Sequence, residues 1–272
     1  MTAQSKSQQI LASLAMAGQV AMTSPLLSSN QNHQQVLDEK TRQVALDISE
    51  QEHQEIVAKL SSYVNSPAGH LERETELYLE QQLSEILGFK VRAELDGQKL
   101  NHSVGIMGAE QHLLRFPGDE LKDHDAYTEA GIAPNRGAFG WFTQNGELTE
   151  KSILREKYYF AVQLMYLPQW SENHPELKPW YKYRKMIVIN PAEQMAVVGV
   201  VADAGPSMWV KKQFGGSPEV IREGRIWSPN SKGKVMILFI DDEEDIVPLG
   251  PISLDFKAVL AHNESNNSQA NI

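Results

Sequence analysis

The chain has 272 residues, no cysteine and a formal net charge of −10, with 41% hydrophobic and 22% charged residues. That composition belongs to a globular protein with a sizeable core, and it excludes a disulfide framework, a thiolate nucleophile and a Cys-built metal site. The acidic balance, with no cluster of Lys and Arg, excludes a nucleic-acid-binding surface, and no apolar run is long enough to span a bilayer.

Residues 1–33 are rich in Ser, Gln and Asn and read as a flexible leader. Ile10 to Met22 is apolar, but Gly18 and Gln19 interrupt it and only Lys6 precedes it, so a lead-in segment is preferred to a cleaved signal peptide. Residues 34–88 carry a helical hairpin. Its first arm has Val36, Leu37, Val44, Ile48, Ile56, Leu60 and Tyr63 at mixed helical spacings. Its second arm lies between Asn65-Ser-Pro67 and Gly88, with Leu71, Leu77, Leu79, Leu83, Ile86 and Leu87 on one face. Gly88 suits the position just past a helix end. Such a pair is a packing element, or the means of forming a homo-oligomer.

Residues 89–136 read as a β-hairpin followed by a long polar loop. Phe89 to Leu95 alternates and meets Asp96-Gly97, a two-residue turn signal, with the return strand from Gln98 to about Val104. The loop from Gly105 onward carries Glu110, His112, Arg115, Asp119, His124 and Asp125, and long loops bearing such groups are functional hints. The spacing of His112, Asp119, His124 and Asp125 matches neither an HExxH motif nor a calcium loop, so neither a metal site nor a cofactor is expected.

From 137 to 253 short apolar segments alternate with turn chemistry, which predicts a β-barrel or sandwich. The strands are expected at Gly137 to Phe142, Lys157 to Tyr166, Arg184 to Asn190, Val197 to Ala202 and Lys234 to Ile240. Ser217, Pro218 and Gly224 are the cap, first residue and stop of one short helix. Asp241 to Asp245 reads as a solvated turn, and 254–272 as a disordered tail. Within this region Val197-Val-Gly-Val-Val-Ala-Asp203-Ala-Gly-Pro206 is a buried strand ended by Gly-Pro, which leaves Asp203 at the strand end. Asp203 is there either to open the turn or to present a firmly held carboxylate.

Four segments resemble the double-psi β-barrel of rare lipoprotein A, barwin and expansin proteins. They are Gly137-Ala-Phe-Gly-Trp-Phe142, the pair Met186 to Asn190 and Val197 to Pro206 with its Asp-x-Gly-Pro ending, Phe214-Gly-Gly-Ser217-Pro, and Val235 to Ile240. The resemblance covers little more than a third of the chain. Trp141-Phe142 stands where that family has Tyr-Gly, and the family's His is not evident near Tyr159 to Gln163. Together with the helical hairpin read from its spacing, the resemblance implies an α+β protein in which that N-terminal hairpin precedes a six-stranded double-psi β-barrel-like domain with one short helix.

It further implies a cell-wall polysaccharide partner, peptidoglycan first, cleaved as by a lytic transglycosylase. Asp203 is then the single general acid and base, assisted by Glu110 or His112 from the loop. Substrate contact falls to Trp209, Trp141, Ser217, Trp180 and Tyr183, of which Trp209 neighbours the acid. The rings from Trp170 to Tyr183 either stack on sugars or plug the barrel end. Two alternatives stay open: an expansin-like module that binds glycan without cutting it, and a structural module of an envelope or virion assembly. A cell-envelope or extracellular location follows from the glycan reading, with the cytoplasm also open.

Overall fold

The computed structural model describes residues 50–124, 127–226 and 232–255. The leader, the first half of the first predicted helix and the tail beyond 255 lie outside the described residues. Two helices come first, α1 (Glu50–Val64) and α2 (Arg73–Leu87). Gly88 ends α2 at φ 72°, its N–H donating to Ser84 O, as a left-handed helix stop requires.

The strands are β1 (Val91–Arg92), β2 (Val104–Ala109), β3 (Tyr159–Val162), β4 (Lys185–Asn190), β5 (Met195–Asp203), β6 (Phe214–Gly216), β7 (Lys232–Ile240) and β8 (Gly250–Ser253). Six of them close a barrel in the order β7-β2-β6-β3-β5-β4, with β4 pairing back to β7. Pairing is mixed: β2 with β6 and β3 with β5 are parallel, and the remaining barrel pairs are antiparallel. The protein is therefore α+β with a closed six-stranded barrel. β1 joins the edge of β7, and β8 joins β5.

The runs in β4, β5 and β7 are continuous rather than alternating because both faces of the wall are buried. Met186, Val188, Val197, Val201, Val235, Ile237 and Phe239 point into one cluster with Phe160, Val162 and Phe214. Ile187, Ile189, Val198, Met236, Leu238 and Ile240 point into a second, packed against Leu60, Val64, Leu79, Leu83 and Leu87 of the two helices. Each such side chain contributes about 1.5–3 kcal/mol of burial. Among the described residues, most of the apolar side chains that make the helices candidates for self-association are thus covered by the barrel wall, Leu77 being the exception at 50% exposed.

Several expected elements differ. The Asp96-Gly97 turn forms, with φ of 51° and 75° and reciprocal Leu95–Gln98 hydrogen bonds, but no ladder continues beyond it. β1 pairs with β7 instead. Gly137 to Phe142 is not a strand: Phe139 joins the barrel interior, Phe142 joins a separate cluster with Leu113, Tyr159 and Ala202, and Gly140 turns between them at φ 86°. The strand is instead β2, inside the stretch read as loop. The region 150–157 is a helix, α3 (Glu150–Lys157), capped by Thr149 Oγ1 accepting from Ser152 N.

The aromatic insertion is the helix α4 (Trp170–Tyr181), interrupted at Asn173. It carries Leu177 and Tyr181 into the barrel core, so it plugs the barrel end. The short helix α5 (Pro218–Glu223) forms with the expected cap and stop. The acidic run is more than a solvated turn, because Asp242 accepts from Ile246 N, Val247 N and Lys185 Nζ.

Candidate functional site

Asp203 closes β5 and is half-buried. Its Oδ1 accepts the Ala138 N–H at 2.8 Å, so the irregular 137–142 segment holds the carboxylate in place. No hydrogen bond from the described residues reaches Oδ2. Directly after it, a cis Gly205-Pro206 bond leads into a single 3-10 turn, Met208–Val210. There Trp209 is 79% exposed, with Met208 and Val210 exposed on either side. An apolar trio held in water a few residues after a strand-end carboxylate needs a reason.

Glu110 lies on the other side of a floor of small residues. Ala161 pairs with Asp203 across β3–β5 and with Gly215 across β3–β6. A Cβ added at Gly215 would come within 2.2 Å of Glu110 Oε1, so the Glu110 carboxylate lies directly over Gly215. Two ladder steps, roughly 10 Å, separate the backbones of Asp203 and Gly215. Glu110 is paired with Lys212 Nζ at 2.8 Å, and Lys212 Nζ also donates to Ala109 O. Tyr159, two residues before Ala161 on β3, is buried and donates to Gln111 O. Burial, then the charges of Glu110 and Asp203, push its phenol far above the ordinary tyrosine value, so it stays a neutral donor.

The other expected site residues are elsewhere. Ser217 is fully buried: its hydroxyl caps α5 by accepting from Val220 N and donates to Lys157 O at 2.5 Å. It is structural, not substrate-facing, and Ser217→Ala is expected to lower unfolding free energy by about 1–2 kcal/mol in a denaturant titration. Trp180 packs on Tyr181 and Phe239 under the Arg184 guanidinium, and its Nε1 donates to Asp96. Trp180 and Tyr183 line a pocket of about 380 Å³ with Arg155, Arg184, Lys185, Asp242 and Asp245, apart from Asp203. Trp141 is half-buried with Arg136 near its ring, and Tyr183 donates to its carbonyl.

His112 does not reach the Asp203 floor. It is fully buried, with Nδ1 on Glu156 Oε1 at 3.2 Å and Nε2 on Tyr127 O at 3.1 Å. His124 joins it, with Nδ1 on Glu156 Oε2 at 3.2 Å and Nε2 on Asp119 Oδ2 at 3.0 Å. Arg115 grips Asp119 through its backbone N–H, Nε and Nη2. Burial alone would lower the His112 pKa, but the Glu156 hydrogen bond and charge outweigh it, and the pKa is raised. Burial likewise pushes the Glu156 pKa up, yet the two histidines hold it below the usual carboxylate value. Glu156 went unnoticed in the sequence because it stands on α3 among other charged residues, with no local spacing to tie it to His112.

Comparison with family models, curated proteins and solved structures found no match to this chain.

Proposed function

We propose that the barrel is of the double-psi kind and that the protein acts at the cell envelope on a polysaccharide, peptidoglycan first, cleaving it with Asp203 as general acid and base. The observation that carries this reading is Asp203 itself: a strand-end carboxylate fixed through one oxygen by Ala138 N–H, followed six residues on by an exposed Trp209. Parallel pairing between strands distant in sequence supports the double-psi form. Trp209 offers an exposed aromatic face for stacking on a sugar.

In such a reaction the Asp203 carboxyl protonates the glycosidic oxygen as the bond to the sugar breaks. The resulting carboxylate then takes the proton of that sugar's own 6-hydroxyl, which closes on the anomeric carbon and gives a 1,6-anhydro product. One carboxyl serves both steps and no water is consumed, so a second acid is not needed as nucleophile. Glu110, neutralised by Lys212, orients substrate rather than transferring protons. The expected result is release of anhydro-muropeptides from purified peptidoglycan by the wild type, with Asp203→Asn slower by roughly 10²–10⁴. Wild-type digests without anhydro products by mass spectrometry would sink the enzymatic reading.

The exposure of Trp209 also favours a second reading, glycan binding without cleavage. Pull-down with insoluble peptidoglycan that survives Asp203→Asn and is lost in Trp209→Ala, with no products from either, would establish it.

A further inference from the structure

We propose that His112, His124 and Glu156 form a binding site for one divalent transition-metal ion of the zinc type, which clamps the 112–124 stretch onto α3. The two imidazole nitrogens and the carboxylate lie within 4.8 Å of one another and are enclosed by protein. Ligand atoms of a tetrahedral zinc centre with bonds near 2.0–2.1 Å stand roughly 3.3 Å apart, and each Nδ1 here is 3.2 Å from its Glu156 oxygen. Glu156 thus presents one oxygen to each histidine, and a cation seated between them meets two nitrogens and one or both oxygens.

The surroundings of the ligands carry the inference further. Both Nε2 atoms face pure acceptors, the Tyr127 carbonyl and the Asp119 carboxylate. Each Nε2 therefore has a partner for its own proton, and each Nδ1, the atom that a metal would take, is turned inward onto Glu156, where a bound cation would replace the proton that Nδ1 otherwise donates to the carboxylate. A histidine steadied through its outer nitrogen by a carbonyl or carboxylate is the arrangement that orients metal-binding imidazoles. Asp119 is itself locked by three hydrogen bonds from Arg115, so His124 has little freedom to turn. Borderline nitrogen donors with one carboxylate suit zinc or a similar ion and not calcium or magnesium, which prefer all-oxygen sets. The ligands stand 12 and 32 residues apart on a loop and a helix, which is why no sequence motif announces them.

The test uses the full chain, freed of metal with a chelator, desalted and then offered Zn²⁺. Native mass spectrometry is expected to show one Zn²⁺ per folded chain, retained through gel filtration, with the histidine Nδ1 resonances of His112 and His124 shifted in NMR. Asp119→Asn, which leaves the three ligands intact, should weaken Zn²⁺ affinity about ten- to a hundredfold, and His124→Ala and Glu156→Gln should lose the ion. A folded wild type that takes up no Zn²⁺, or whose His112 and His124 resonances do not move, overturns the proposal. So does uptake unchanged in folded His124→Ala or Glu156→Gln, which places the ion elsewhere. Should both variants fail to fold, the wild-type stoichiometry and resonances decide alone.

Discussion

Glu156→Ala is expected to destabilise the protein by about 3–5 kcal/mol, the usual cost of removing one partner from a buried ionic network. Glu156 is 3% exposed and accepts from both histidines and from the Leu113 N–H. Its removal strands three donors in the interior at once, and each unsatisfied group carries its own desolvation cost. Since whole domains are stable by only about 5–15 kcal/mol, the variant sits near the edge of folding. Glu156→Gln should cost clearly less, because its oxygen still accepts from Leu113 N–H and His112 while its amide donates to a His124 Nδ1 lone pair. Chemical denaturation of the two variants side by side reads the difference; equal losses would show that packing, not charge, matters at this position.

Gly199→Ala is the second large effect. A Cβ at residue 199 would stand 2.4 Å from the Tyr158 carbonyl oxygen and 2.8 Å from two ring carbons of Phe160. The carbonyl accepts the Val200 N–H and belongs to the β3–β5 contact, and Phe160 fills the barrel interior, so neither yields cheaply. Overpacking of this kind costs about 1–3 kcal/mol where side chains can move, and the backbone contact puts this case at the upper end or beyond. A thermal scan of the purified variant measures it. A midpoint equal to that of wild type would mean that β3 can slide along β5, where the register already shifts between Phe160 and Ala161.

The features legible in the sequence are those encoded over a few adjacent residues. Ser217-Pro218 with Gly224 specifies α5, Gly88 ends α2, and the run from Val197 to Asp203 is a buried strand. What escaped depends on distant partners. β2 looks like loop because it contains Gly105 and Gly108, yet those glycines are there to let the Gln213 and Lys212 side chains lie against the strand. Gly137 to Phe142 looks like a strand because its apolar residues are dense, but Phe139 and Phe142 anchor in different clusters. α4 was hidden by Pro175 and Pro179, which a helix with a break at Asn173 accommodates. The strand-end position of Asp203 is legible because a strand end is a local feature. The grouping of His112, His124 and Glu156 is not, because only the closed fold brings α3 beside the loop.

The two-sided burial of β4 and β7 decides how the chain comes apart. With Met236, Leu238 and Ile187 roofed by α1 and α2, the helices and the barrel wall share one apolar cluster, and they are expected to unfold together. Stripping away the helices would bare a strip of wall as apolar as the interior, a surface that seeks other chains. The segment that reads as an appendage is the barrel's second coat.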